Sequence, residues 1–196
     1  LRIFKEVCEK ADISVMNGMR YTVDEYLEAY EKTMQRVTMN NIAKGKEVKP
    51  VTRPKKYAGE DPLTLTDGAY GGNSFVSGWL GFEGNDMKVI IDLGEIHKID
   101  TIATAFLQVT NHIVFFPKSV ELYSSTDNEN FVEIGNIINP EELAPESKIN
   151  DIREFNLYFE PVEARYVKIC GRNMKTAPFW HNASGLPAWI FCDEVI

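Results

Sequence analysis

From Thr38 to the C-terminus the chain is assembled from short runs rich in β-branched and aromatic residues, each closed off by Gly, Pro, Asn or Asp. The runs fall at 88–93, 100–107, 119–124, 131–134, 153–159, 165–170 and 189–196. A parallel sheet needs a long crossover, usually a helix, between successive strands, and no such segment separates these runs. The pattern therefore predicts an antiparallel all-β sandwich or barrel. The loop Thr126-Asp127-Asn128-Glu129-Asn130 carries the side chains that cap a hairpin-type connection. Residues 140–150 form a polar excursion, with a helical turn suggested around Glu141-Glu142-Leu143.

Upstream of Thr38 the period changes. Ile3, Phe4, Val7, Cys8 and Ala11 share one helical stripe, and Thr22-Val23-Asp24-Glu25 fits a capping box opening a second helix that runs to about Arg36. The organisation predicted is a helical linker or docking segment at 1–36, followed by a β-domain at 37–196. A length of 196 residues suits one full core plus such an accessory piece. The chain opens on Leu1 without a targeting pattern, which reads as a piece of a longer protein.

Charge narrows the partners. A net charge of −8 argues against nucleic acid and anionic membrane surfaces, which call for basic patches. The longest apolar runs, 113–116 and 188–192, are far too short to cross a bilayer. Cys8, Cys170 and Cys192 match no metal spacing; the last two lie in strand runs and read as small buried hydrophobes, with a bridge between them as the lesser alternative. Catalysis finds little support, since no serine elbow, HExxH motif, phosphate loop or facing carboxylate pair is recognisable. The chain reads as a non-enzyme.

The tail is the stretch richest in chemistry. Pro178-Phe179-Trp180-His181 leads through Gly185 and Pro187 into an apolar run that ends on Asp193-Glu194. Two carboxylates closing a core strand ask for compensation. The glycine-rich loop after Asp67 can turn its carbonyls inward, which suits a hard cation such as Ca²⁺. The alternative is an Asx-turn at Asp67 with Glu194 left in solvent.

Taken in order, several motifs resemble one known family. They are Leu65-Thr66-Asp67-Gly68, Gly78-Trp79-Leu80-Gly81-Phe82, Ile91-Asp92-Leu93-Gly94, Phe115-Phe116-Pro117-Lys118, Ser124-Ser125-Thr126-Asp127 and Ala164-Arg165-Tyr166-Val167. The family is the coagulation factor V/VIII type C, or discoidin-like, domain, which includes family 32 carbohydrate-binding modules. Within it, Trp79-Leu80-Gly81-Phe82, Phe106-Leu107-Gln108 and the Trp180-His181 to Glu194 ending are similar to the C-terminal module of bacterial chitobiase or β-N-acetylhexosaminidase-type proteins of Bacteroidetes.

The resemblance implies a jelly-roll β-sandwich that binds a glycan of galactose or N-acetylhexosamine type beside a parent glycoside hydrolase domain. It implies a periplasmic, extracellular or cell-surface setting. It also implies a structural Ca²⁺ shared by Asp67 and Glu194, with Thr64, Ala69, Gly72, Asn73, Ser74 and Asp193 as further oxygen donors. Sugar contacts would come from Gln108, Asn111 and His112, from Arg172 and Asn173, and from Phe179, Trp180 and His181. Trp79, Phe82 and Trp189 are assigned to the core. The alternative function is a docking domain that packs on the parent's catalytic domain without binding sugar.

Overall fold

Burial with a period of two draws the strands. In the run beginning at Met87, the side chains of Met87, Val89, Ile91 and Leu93 are buried, whereas those of Lys88, Ile90 and Asp92 face outward. A computed structural model describes residues 40–55, 61–72, 74–76, 78–139 and 150–196. The chain divides into two units, Leu1–Asn40 and Asn41–Ile196, and the description below concerns the second. The expected helices of 1–36 and the excursion at 140–149 lie outside the described residues.

The strands are β1 (Glu47–Pro50), β2 (Leu80–Glu83), β3 (Met87–Val109), β4 (Ser119–Ser125), β5 (Val132–Ile138), β6 (Asn150–Gly171) and β7 (Trp189–Val195). All strand pairings are antiparallel, in the order β2-β7-β3-β6-β4-β5, with β1 on the first half of β3. β3 and β6 are long enough to belong to both layers of a jelly-roll sandwich. Residues 87–92 and 166–171 sit with β1, β4 and β5; residues 101–109 and 150–158 sit with β7 and β2.

The sequence suggested four separate strands where the structure has two bent ones. The bend falls at two register shifts, Asp92/His97 and Ile99/Thr101. Gly94 holds φ at 88° there, and Pro161 lies opposite Asp100, where the ladder is already broken and its missing N–H costs nothing. Arg165 clamps the corner, donating from Nε and Nη2 to the Asp92 carboxylate at 2.9 and 3.0 Å. These hydrogen bonds hold the Asp92 carboxyl below its ordinary range.

Between the layers, Phe106 meets Phe155 edge-to-face at 5.3 Å, with Phe82, Ile91, Leu122 and Ile169 buried around them. A second apolar cluster lies on the opposite side of β3 and β7: Trp79, Leu107, Val109, Val114 and Phe191. Residues 102–110 are consequently all buried, with both faces of the strand covered. Cys170 and Cys192 are buried free thiols, as the sequence suggested. Burial pushes the Cys170 thiol up, and Cys192 Sγ lies 3.1 Å from Thr104 Oγ1. The β4–β5 loop is capped by Asp127, whose Oδ1 accepts from the Asn130 and Glu129 amides at 2.8 and 2.9 Å. Those bonds, that from Asn130 foremost, hold its carboxyl far below the usual range.

Candidate functional site

Two regions carry the chemistry singled out in the sequence: the loop after Asp67, and the end of the sandwich where β3, β6 and the β7 approach converge. In the first, Thr104 pairs with Val195 and Phe106 with Cys192, so a step of two on β3 meets three on β7. The resulting bulge lies at Asp193-Glu194, and such a bulge re-aims neighbouring side chains. Both carboxylates have 0% exposure and both reach the same loop. Glu194 accepts from the Gly68 amide at 3.0 Å and from Asn41 Nδ2 at 2.8 Å, and Asp193 accepts from the Gly71 amide at 3.1 Å.

Glycine is needed at both amide positions. Gly68 has φ 82° with the Lys44 stem lying across it, and a Cβ at Gly71 would sit 2.2 Å from the Trp79 indole. The segment before β1 seals the loop: Gly45 donates to the Thr66 carbonyl at 2.6 Å, and Thr66 Oγ1 donates to the Lys46 carbonyl at 2.8 Å.

This donor set differs from the one the sequence suggested. A calcium ion needs six to eight converging oxygens. Asp67 is exposed, and its Oδ1 caps the Ala69 amide at 2.7 Å. The Gly72 carbonyl accepts the Trp79 indole N–H at 2.9 Å, Ser74 is exposed, and Thr64 lies in the 3-10 turn Pro62–Leu65. Asn73 lies outside the described residues. Among the described residues no three His, Cys, Asp or Glu side chains gather at metal-binding spacing. In the loop, the Gly68 and Gly71 amides point at the two carboxylates.

At the other end, three loops are brought together. His181 is buried, and its Nδ1 accepts from the Ala183 amide at 3.0 Å. Nε2 therefore carries the proton and donates to the Thr110 carbonyl at 2.8 Å, tying the aromatic loop to the turn Thr110–His112. Asn173 is buried too, its Nδ2 donating to the Ala188 and Phe82 carbonyls at 2.9 and 3.3 Å. These two side chains build the loop end from within, where the sequence suggested ligand contacts. Gln108 is buried near the end of β3. Asn111 and His112 are exposed, Trp180 is half-buried, and Phe179 is 91% exposed.

Arg172 is also committed to the protein. Its Nε and Nη2 donate to Glu121 at 2.7 Å each, and Nη1 donates to Asp86 at 3.1 Å. Lys175 Nζ reaches Asp86 at 2.6 Å. Burial opposes ionisation of Asp86, but Lys175, the Asn173 amide and Arg172 outweigh it and hold the carboxyl below its usual range. The Arg172 hydrogen bonds do the same for Glu121. A carboxyl whose folded pKa is depressed contributes stability above its unfolded value, and that contribution fades as pH falls through the folded value. Wild-type stability should accordingly drop as pH falls below about 4. An Arg172→Met variant should be less stable near neutrality by roughly 1 kcal/mol and show a shallower acid limb. Parallel unfolding-versus-pH curves for the two proteins would remove this network from the explanation.

A recess of about 50 Å³ opens at the edge of the second apolar cluster, lined by Phe75, His112, Val114, Trp189 and Phe191. Trp189 had been assigned to the core; it is only half-buried and forms a wall of this recess. Its backbone is fixed against the turn after β3, with Trp189 N donating to the Ile113 carbonyl at 2.8 Å and Phe115 N to the Trp189 carbonyl at 3.1 Å. Trp189 stacks on Phe191 at 5.4 Å and 13°, and Phe75 packs on His112 at 5.1 Å. Of these residues the sequence reading picked out only His112 as a ligand residue; the alternation in Trp189-Ile190-Phe191 was the signal available for the others.

Solved structures with this fold include chitosan-binding module 1 of a chitosanase/glucanase from Paenibacillus sp. IK-5, at TM-score 0.52 and 14% identity. The match covers 80% of this chain and 97% of that one. SpGH29 matches at TM-score 0.51 and 14% identity over 91% of this chain and 32% of that one. A module, CBM32-1, of a family 31 glycoside hydrolase from Clostridium perfringens matches at TM-score 0.48 and 19% identity, covering 76% and 92%. No curated protein sequence matches the chain. The family model for the F5/8 type C domain matches residues 47–190, from the first strand into the last, and the chain belongs to that family.

Proposed function

We propose that this chain is a non-catalytic carbohydrate-binding module that tethers a parent glycoside hydrolase, of chitobiase or β-N-acetylhexosaminidase type, to galactose- or N-acetylhexosamine-containing glycans. The observation that carries this reading is the half-open aromatic recess beside His112, at the end where three loops meet. Sugar C–H groups pack on aromatic rings, and an exposed imidazole can donate or accept for a hydroxyl. The Paenibacillus neighbour is a chitosan-binding module, which supports a glycan as the kind of ligand this fold can carry. A weak site suffices for such a role, because a polyvalent substrate raises the effective concentration of the tethered enzyme. With such a parent, the module works in the periplasm, outside the cell or at its surface.

The test is calorimetric titration of the full chain against galactose, N-acetylgalactosamine, N-acetylglucosamine and N-acetyllactosamine, repeated on Trp189→Ala. Binding in the micromolar to millimolar range, weakened about tenfold or more in the variant, is the expected result. A folded wild-type protein silent toward the whole panel would overturn the module reading in favour of a docking domain.

A further inference from the structure

The recess is small, and its size speaks to what enters it. A closed apolar cavity of roughly 150 Å³ holds one benzene ring, so a half-open recess of about 50 Å³ takes only a small substituent. A hexopyranose, with about twelve heavy atoms, is too large to enter whole, whereas the methyl end of an acetamido group can. Shape agrees with size. Phe75 is inclined 31° to Phe191 and 53° to His112, so the rings enclose a hollow instead of offering one flat platform for a sugar ring. Phe75, Val114, Trp189 and Phe191 make an apolar wall that suits a methyl group. His112 adds a side chain able to donate to a carbonyl oxygen or accept from an amide N–H, the two polar functions of an acetamide.

We propose that this recess takes the acetamido group of an N-acetylhexosamine, with the pyranose ring resting outside it; the proposal builds on the carbohydrate-binding reading. The recess, not the hydroxyl pattern of the ring, then sets specificity. Sugars of gluco and galacto configuration should be accepted alike so long as they carry the N-acetyl group. The deacetylated amine has no methyl for the aromatic wall and brings a strongly hydrated charge against it.

The experiment is saturation-transfer NMR and calorimetry on the full chain with the methyl glycosides of N-acetylglucosamine, glucosamine, glucose, N-acetylgalactosamine and galactose. Each N-acetyl sugar should bind about tenfold or more tightly than its amino or hydroxy counterpart, as expected when an aromatic wall loses the methyl group packed on it. The strongest saturation should fall on the acetyl methyl protons. A Phe75→Ala protein with a wild-type circular-dichroism spectrum should keep weak binding and lose the preference. Equal affinity with and without the acetyl group overturns the acetamido assignment while leaving a carbohydrate-binding module standing. Absence of binding to every sugar overturns both readings, so the two failures are distinguishable.

Discussion

Replacing Glu194 by Ala lowers the stability of the domain by about 3 kcal/mol, because the Gly68 amide and the Asn41 carboxamide both lose a buried acceptor. For a domain of this length that corresponds to a fall in Tm of roughly 6–12 °C. Glu194→Gln keeps the shape and one acceptor oxygen, and should recover about half of the loss. If the Gly68 and Gly71 amides and the Asn41 carboxamide alone compensate the two carboxylates, the wild-type melting temperature is the same in excess Ca²⁺ and in excess EDTA. A calcium-dependent rise in Tm that disappears in Glu194→Ala would show instead that a cation staples the loop and that the amide closure is secondary.

Trp79→Ala is expected to cost about 4 kcal/mol, the upper range for emptying a large aromatic site in a packed core. Trp79 is 1% exposed; its ring fills the space that a Cβ on Gly71 would invade, and its indole N–H holds the Gly72 carbonyl. The loop it anchors carries Phe75 into the recess, so the substitution should weaken glycan binding as well as folding. Trp79→Phe retains much of the packing but not the hydrogen bond, and should cost about 1–2 kcal/mol. Chemical denaturation of the three proteins, followed by titration of whichever remain folded, separates the two effects. Full affinity in a folded Trp79→Ala protein would uncouple the loop from the recess.

Much of the sandwich was legible in the chain because strand burial writes itself as alternation: Met87, Val89 and Ile91 in, Lys88 and Asp92 out. The corner was not, because Gly94 and Pro161 read as turn residues and only the pairing partner shows that they sit in register shifts of continuous strands. That Asp193-Glu194 needed compensation was legible from two acids closing an apolar strand. The nature of the compensation was not, since backbone amides leave no mark in residue type and Asn41 lies 153 positions away. The ligand end divides in the same way. Residues whose hydrogen-bonding chemistry suits a sugar, Arg172, Asn173 and His181, hold the loops together, because a polar side chain serves a carboxylate or a backbone as readily as a sugar. Trp189 was hidden by its strand: neighbouring Ile190 and Cys192 face the inner core while Trp189 and Phe191 face the other side.

The path of β7 also couples two parts of this unit. At Trp189 the strand borders the recess, and at Glu194 it is bonded to Asn41, the residue by which the polypeptide enters this unit. Five residues of extended chain separate the two, a span of about 15 Å. The strand that closes the loop after Asp67 is thus the strand that walls the recess, so loosening the Asp193-Glu194 closure and reshaping the recess are a single event.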